Sequence, residues 1–158
     1  MRQCVDLIKQ FEGLYLKAYL CPADYWTIGY GHCITKDGQM LKGVSQKALA
    51  LSVFPNGIIE VEADKLLAND ISNFANKVKS VIKVSLNDNQ LSALISFAFN
   101  VGIGNLTSST LLRKLNIGDY DCVPIELMRW VNATKKGKKV KLAGLVNRRM
   151  AEAKLWDT

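Results

Sequence analysis

The chain has 158 residues, 49% of them apolar and 22% charged, with only three prolines. That length and mix suit one globular domain and exclude a disordered, collagen-like or low-complexity polymer. Lys and Arg number 21 against 14 Asp and Glu, a net charge of +7, which favours a polyanionic partner or surface without identifying it.

The four cysteines, Cys4, Cys21, Cys33 and Cys122, are scattered, with no C-x-x-C pair to suggest a zinc or redox motif. A chain this long buries its own core, so the expectation is mostly reduced thiols in a protein made in the cytosol, with at most one pair oxidised later. The charges at Arg2, Asp6, Lys9, Glu12 and Lys17 leave no room for the apolar core of a signal peptide. The run Ala48 to Phe54, broken by Ser52, is far short of the roughly 20 residues of a membrane span.

Val5, Ile8 and Phe11 recur at helical spacing before Glu12 and Gly13, which predicts a short N-terminal helix closed by a left-handed glycine. From Leu16 to Gly31 the β-formers Tyr19, Tyr25, Trp26, Thr27, Ile28 and Tyr30 are punctuated by Pro22, Gly29 and Gly31, the pattern of a small antiparallel sheet. Residues 35–57 carry Asp37, Gly38, Gly43, Pro55, Asn56 and Gly57 and read as an extended loop with one helical turn at most. Ala63, Leu66, Leu67, Ile71, Phe74, Val78 and Val81 then fall at steps of three and four, marking one long amphipathic helix.

Downstream, everything reads as helix. Asn87 with Gln90 resembles a capping box, and that helix stops at Asn100-Val101-Gly102. Three shorter helices are expected at Ser109 to Asn116, Asp121 to Val131 and Ala143 to Trp156, the last preceded by a lysine-rich loop. The class is α+β with strands segregated near the N-terminus. The expected organisation is one domain of two lobes with a cleft between them: a sheet lobe over about 13–57, a linking helix over about 58–80, and a helical lobe over about 81–158 together with helix 1–12.

Glu12 ends a helix just before the first strand, where its carboxyl can sit among apolar neighbours such as Phe11. A carboxylic acid held in apolar surroundings keeps its proton toward neutral pH and can give it to a leaving oxygen, the general-acid step of glycoside hydrolysis. Position alone favours a solvated helix-terminal glutamate. The wider pattern adds weight: Glu12 is followed after eight residues by Cys21 and after five more by Thr27, within F-E-G-L-Y-L-K-A-Y-L-C-P-A-D-Y-W-T-I-G-Y-G-H.

This stretch resembles the glycoside hydrolase family 24 lysozymes, the phage-type muramidases, whose pattern is Glu-x8-Asp-x5-Thr with cysteine for aspartate in one branch. The segments 62–67, 89–102, 108–116 and 144–149 also look like family segments in family order, and only 35–57 is longer than usual. The resemblance implies a lysozyme-like fold, Glu12 as catalytic acid, Cys21 supporting the water or the developing charge on the opposite sugar face, and Thr27 orienting that water. A thiol, with a pKa of about 8.5 when unperturbed, is mostly neutral at pH 7 and stabilises charge less well than a carboxylate. Asp24, three residues on in the same turn, is the alternative carboxylate; as a bare residue it is a turn former.

Three further residues are candidates for substrate binding. Trp26, beside Thr27, is placed to line the sugar site. His32, the only histidine, is either a substrate contact or a structural hydrogen-bond partner in the sheet. Asn100 offers an amide to a sugar or peptide group, with a helix cap as the equal alternative; Trp130 and Trp156 read as core residues of their helices. His32 next to Cys33 matches no zinc spacing, so no metal and no cofactor is expected.

Residues 131–149 hold Lys135, Lys136, Lys138, Lys139, Lys141, Arg148 and Arg149 and no acid. No nucleic-acid motif or aromatic residue accompanies them, and attraction to an anionic cell envelope explains them equally well. The resemblance thus implies a monomeric endolysin that cuts the β-1,4 bond between N-acetylmuramic acid and N-acetylglucosamine in peptidoglycan. It implies accumulation in the host cytoplasm, release through a separate holin-type pore, and no membrane span or nucleic-acid partner. The alternative is a basic carbohydrate- or nucleic-acid-binding module that keeps the fold and has lost turnover through Cys21.

Overall fold

The computed structural model describes all residues, Met1–Thr158. The chain divides into two compact units, Ile8–Asp70 and Met1–Leu7 with Ile71–Thr158.

In the unit Ile8–Asp70, helix α1 (Arg2–Glu12) ends where Gly13 takes φ +71° and its amide bonds back to Lys9 O at 3.2 Å. A left-handed C′ residue is free of strain only without a Cβ, so the sequence-predicted stop is physical. Strands β1 (Tyr15–Leu20), β2 (Trp26–Gly29) and β3 (His32–Cys33) form an antiparallel sheet in the order β1-β2-β3. Tyr19 faces Thr27, and Thr27 faces Cys33, in register. The central strand β2 is buried throughout. The same unit buries Ile8, Ile28, Ile34, Leu41, Ile58, Ala63 and Leu67, all under a tenth exposed.

The segment 35–57 is not the extended loop expected. It contains a hairpin, β4 (Thr35–Lys36) and β5 (Gln39–Met40), a 3-10 turn at Val44–Gln46, and helix α2 (Lys47–Val53). Asp37 and Gly38 both adopt positive φ, 51° and 77°, the mirror-image turn that Asp-Gly favours between strands. Strands of two residues are too short to show alternation, and α2 buries only Ala50, so neither left a periodic trace. Helix α3 (Glu60–Val81) opens with Glu62 accepting from Ile59 N at 2.9 Å, a carboxylate satisfying an orphan amide at the positive end of a helix.

The unit Met1–Leu7 with Ile71–Thr158 is mainly helical. Helix α4 (Asp88–Val101) carries the expected capping box, with Asn87 and Gln90 bonded reciprocally at 2.8 and 3.0 Å. Its residues Ala93, Leu94, Ile95, Phe97 and Ala98 are fully buried. Helix α5 (Ile103–Ser108), which the sequence reading did not foresee, restarts directly after Gly102 at φ +91°. Helix α6 (Thr110–Leu115) is capped by Ser109 Oγ, which accepts from Leu112 N at 3.0 Å.

Helix α7 (Cys122–Leu127) is shorter than the expected 121–131. Trp130 therefore lies beyond it, half-buried, with its ring edge-on to Phe97 at 5.5 Å, whereas Trp156 is a core residue of α8 (Ala143–Trp156) as expected. The lysine-rich stretch is not a loop. It is an antiparallel hairpin, β6 (Asn132–Lys135) and β7 (Lys138–Lys141), turned by Lys136 and Gly137 at φ 50° and 76°. Strands are thus not confined to the N-terminal region, although the class remains α+β. Within α8, Glu152 is fully buried; its carboxylate takes Arg149 Nε at 2.7 Å, Arg148 Nε at 3.3 Å and Ser96 Oγ at 2.7 Å.

Candidate active site

Glu12, Cys21, Asp24, Trp26, Thr27 and His32 all belong to the unit Ile8–Asp70, and Asn100 belongs to the other, in the last turn of α4. Glu12 is the last residue of α1 and half-buried. Its carboxyl lies beside Gly31 in the β2–β3 turn, so closely that a Cβ at Gly31 would stand 2.9 Å from Glu12 Oε2 and 3.0 Å from its Cδ. The end of α1 is fixed from a second side by Lys9, whose ammonium pairs with Asp64 at 2.7 Å and lies over the Tyr30 ring at 4.9 Å.

Cys21 and Thr27 are tied to one carbonyl. Tyr25 O accepts from the Cys21 amide at 2.8 Å and from Thr27 Oγ1 at 3.0 Å. Thr27 is 3% exposed, and its hydroxyl proton is already engaged. Its oxygen therefore has lone pairs left and serves a further partner as an acceptor. Asp24 closes the same turn at φ 70°, with its amide on Cys21 O at 2.8 Å. Its side chain is exposed and leans toward Gly43, where a Cβ would meet Oδ2 at 3.6 Å.

Tyr19, which sequence reasoning missed, shares the sheet face of Thr27 and Cys33 because the three are direct cross-strand partners. Burial, and then the negative charge of Glu12, with Tyr15, Cys21 and Cys33 adding, push its phenol up to about 12, so it keeps its proton at neutral pH. Burial likewise pushes the Cys33 thiol up, with Cys21, Asp70 and Glu12 contributing. The alternation of residues in β1 could have pointed to Tyr19, two positions before Cys21. No sequence signal points to the fit of Gly31 on Glu12.

Trp26 follows strand alternation onto the face opposite Thr27, is 6% exposed, and donates its indole N–H to Gly43 O at 2.8 Å, so its polar tip is engaged inside the unit. His32 donates from Nδ1 to Asp70 Oδ2 at 2.7 Å, which ties β3 to α3. A cavity of about 530 Å³ between the end of α2 and the start of α3, lined in part by Phe54, Pro55, Ile58 and Leu66, includes none of the Glu12 cluster. All four cysteines are free.

A carboxyl group beside Gly31 and, tied to one carbonyl, a thiol-bearing residue and an acceptor-ready hydroxyl are groups of the kind needed to protonate a leaving oxygen and to hold a water. Residues 9–152 match the family model described as phage lysozyme. The chain is 39% identical over 152 residues, 96% of its length and 93% of the relative's, to an endolysin of Acyrthosiphon pisum secondary endosymbiont phage 1. It is 41% identical over 157 residues to the endolysin of Bacillus phage B103, of which it spans about half, 52%. The muramidase domain of SpmX from Asticaccaulis excentricus superposes with a TM-score of 0.80 at 32% identity, over 100% of this chain and 97% of that one.

Proposed function

Because this chain belongs to the phage lysozyme family, we propose that Glu12, Cys21 and Thr27 are the residues with which it hydrolyses its substrate. The protein is an endolysin-type muramidase, a glycoside hydrolase that cuts the β-1,4 bond between N-acetylmuramic acid and N-acetylglucosamine in peptidoglycan. A binding module without turnover is not favoured, since its relatives are endolysins and a muramidase domain.

Glu12 gives its proton to the glycosidic oxygen as the bond breaks. Its carboxyl sits so close to Gly31 that a Cβ there would stand 2.9 Å from Oε2, and this close approach limits the directions in which the proton can be given. The Thr27 oxygen accepts one hydrogen of the attacking water, and this turns the water's lone pair toward the anomeric carbon. Cys21, held on the same carbonyl as Thr27, supports the water or the charge that develops at the sugar. That shared carbonyl is the observation that favours Cys21 over Asp24, whose side chain is exposed and leans toward Gly43. Asn100 contacts substrate through its amide, and His32 contributes by holding β3 rather than by touching the sugar.

No helix of the chain is long and apolar enough to cross a membrane. The protein acts as a monomer that gathers in the host cytoplasm and reaches the wall through a pore made by a separate holin-type protein. The decisive experiment is Glu12→Gln, assayed by clearing of permeabilised Gram-negative cells beside a thermal melt. The amide has no acidic proton, so lysis falls at least about a hundredfold, the usual worth of acid catalysis, with the melt unchanged. Retention of more than about a tenth of the parent rate would contradict the role.

A further inference from the structure

The hairpin β6–β7 has no part in the chemistry above, yet it is the most highly charged feature of the molecule. Its ten residues, 132–141, include Lys135, Lys136, Lys138, Lys139 and Lys141, all exposed. None of the five enters an ion pair, whereas Lys9 and Lys114 elsewhere each hold a carboxylate at 2.7 and 3.0 Å. Lys135 and Lys138 stand directly opposite each other, an arrangement of like charges that destabilises a two-stranded ribbon. An external anion that neutralises the pair relieves this repulsion.

The register shows what shape that anion takes. Lys135 and Lys138 project on one face of the ribbon, Lys139 and Lys141 on the other, and Lys136 sits at the tip. A flat anionic bilayer touches one face at a time. The ribbon also lacks the aromatic or long apolar side chains that an interfacial element buries in lipid. Nucleic acid is disfavoured because the hairpin has no aromatic residue for base stacking. A flexible anionic network that surrounds the tip satisfies all five charges together.

We propose that the β6–β7 hairpin is an electrostatic tether that enters the peptidoglycan mesh and binds the carboxylates of its peptide stems, apart from the groups that cut the glycan. The inference rests on the muramidase reading for the identity of the network. Its consequence is retention: a protein held by a second, mobile contact stays on the polymer between cuts at a raised effective concentration.

The test is sedimentation with purified insoluble sacculi, in a Glu12→Gln background so that cutting does not release bound protein. The parent is compared with a variant carrying Lys135→Gln, Lys136→Gln, Lys138→Gln and Lys139→Gln, and with one carrying Arg at the same four positions. At low salt the Gln variant is retained at least about tenfold less well, the low end of what electrostatic attraction supplies, and the Arg variant binds like the parent. The difference closes near 1 M salt, where the screening length falls to about 3 Å. Sacculi whose carboxylates have been amidated hold the parent no better than the Gln variant, a result that requires no change to the protein.

Equal retention of parent and Gln variant would overturn the proposal. So would full retention of the parent on amidated sacculi, or tighter binding to duplex DNA or to vesicles of anionic lipid than to intact sacculi. Failure of the muramidase reading is separately visible, as sacculi left uncut by protein with Glu12 intact, and it would leave the binding result standing.

Discussion

Gly31→Ala separates the placing of Glu12 from the mere presence of a carboxyl group. Gly31 sits at φ +72°, where an L-residue costs about 1–2 kcal/mol. For a chain of this size that lowers the melting temperature by a few degrees, roughly 2–4 °C for each kcal/mol. The new Cβ would also stand 2.9 Å from Glu12 Oε2, where ordinary contacts begin at 3.4 Å, so the carboxyl must retreat by about half an ångström. Because a misplacement of about 1 Å costs about a hundredfold, a shift of half that size costs about tenfold in kcat with little change in KM. Gly38→Ala is the control: its φ is +77°, and nothing lies within 4 Å of the added carbon. Turbidity clearing at a temperature well below both melts, together with the melts themselves, gives the comparison. Equal loss of activity in the two variants, or parent-level kcat in Gly31→Ala, would refute the positioning of Glu12 by this contact.

Cys21→Asp keeps or raises lytic activity while Cys21→Ala loses most of it; a neutral Cys21→Ala beside a dead Asp24→Asn would move the role to Asp24. Glu152→Ala leaves the buried Arg148 and Arg149 facing a missing carboxylate and destabilises by about 3–5 kcal/mol, read from urea unfolding; a loss under about 1 kcal/mol would mean that the cluster relaxes without it. The hydrogen bond from Lys114 holds the Glu126 carboxyl below the usual carboxylate range, against the opposing effect of burial and with help from Arg129. A depressed folded pKa contributes stability that is present above the unfolded value of about 4.3 and is lost as pH falls through the folded one. Lys114→Ala therefore flattens the acid limb of a stability–pH profile, and superimposable acid limbs would exclude the linkage.

Where one physical signal dominated, the sequence was readable. The 3.6-residue period of α3, the capping box of α4 and the terminating Gly13 are local features, and each lies where it was expected. The spacing of Glu12, Cys21 and Thr27 was visible too, but not the Tyr25 carbonyl that joins the last two. A backbone acceptor has no side-chain letter. The β6–β7 hairpin was hidden because its strands are short and mostly exposed and three of the four residues of β7 are lysine, so the period-2 contrast between apolar and polar residues is weak. The burial of Trp26 was not legible from nearness in sequence: neighbours on a strand point to opposite faces, so standing beside Thr27 separates it from Thr27's partners.

Asp64 and Asp70 are placed less than two helical turns apart in α3, and each grips a different wall of Glu12's surroundings. Asp64 holds Lys9, near the end of α1, and Asp70 holds His32, next to Gly31. The first turns of α3 are thus a common hinge pin for both walls. Should that stretch fray, even for the brief excursions that amide exchange detects, the acid would lose its bearing and its backstop in the same event. Both contacts therefore persist only as long as that one stretch of helix stays wound, so local opening there reaches both walls without melting of the molecule.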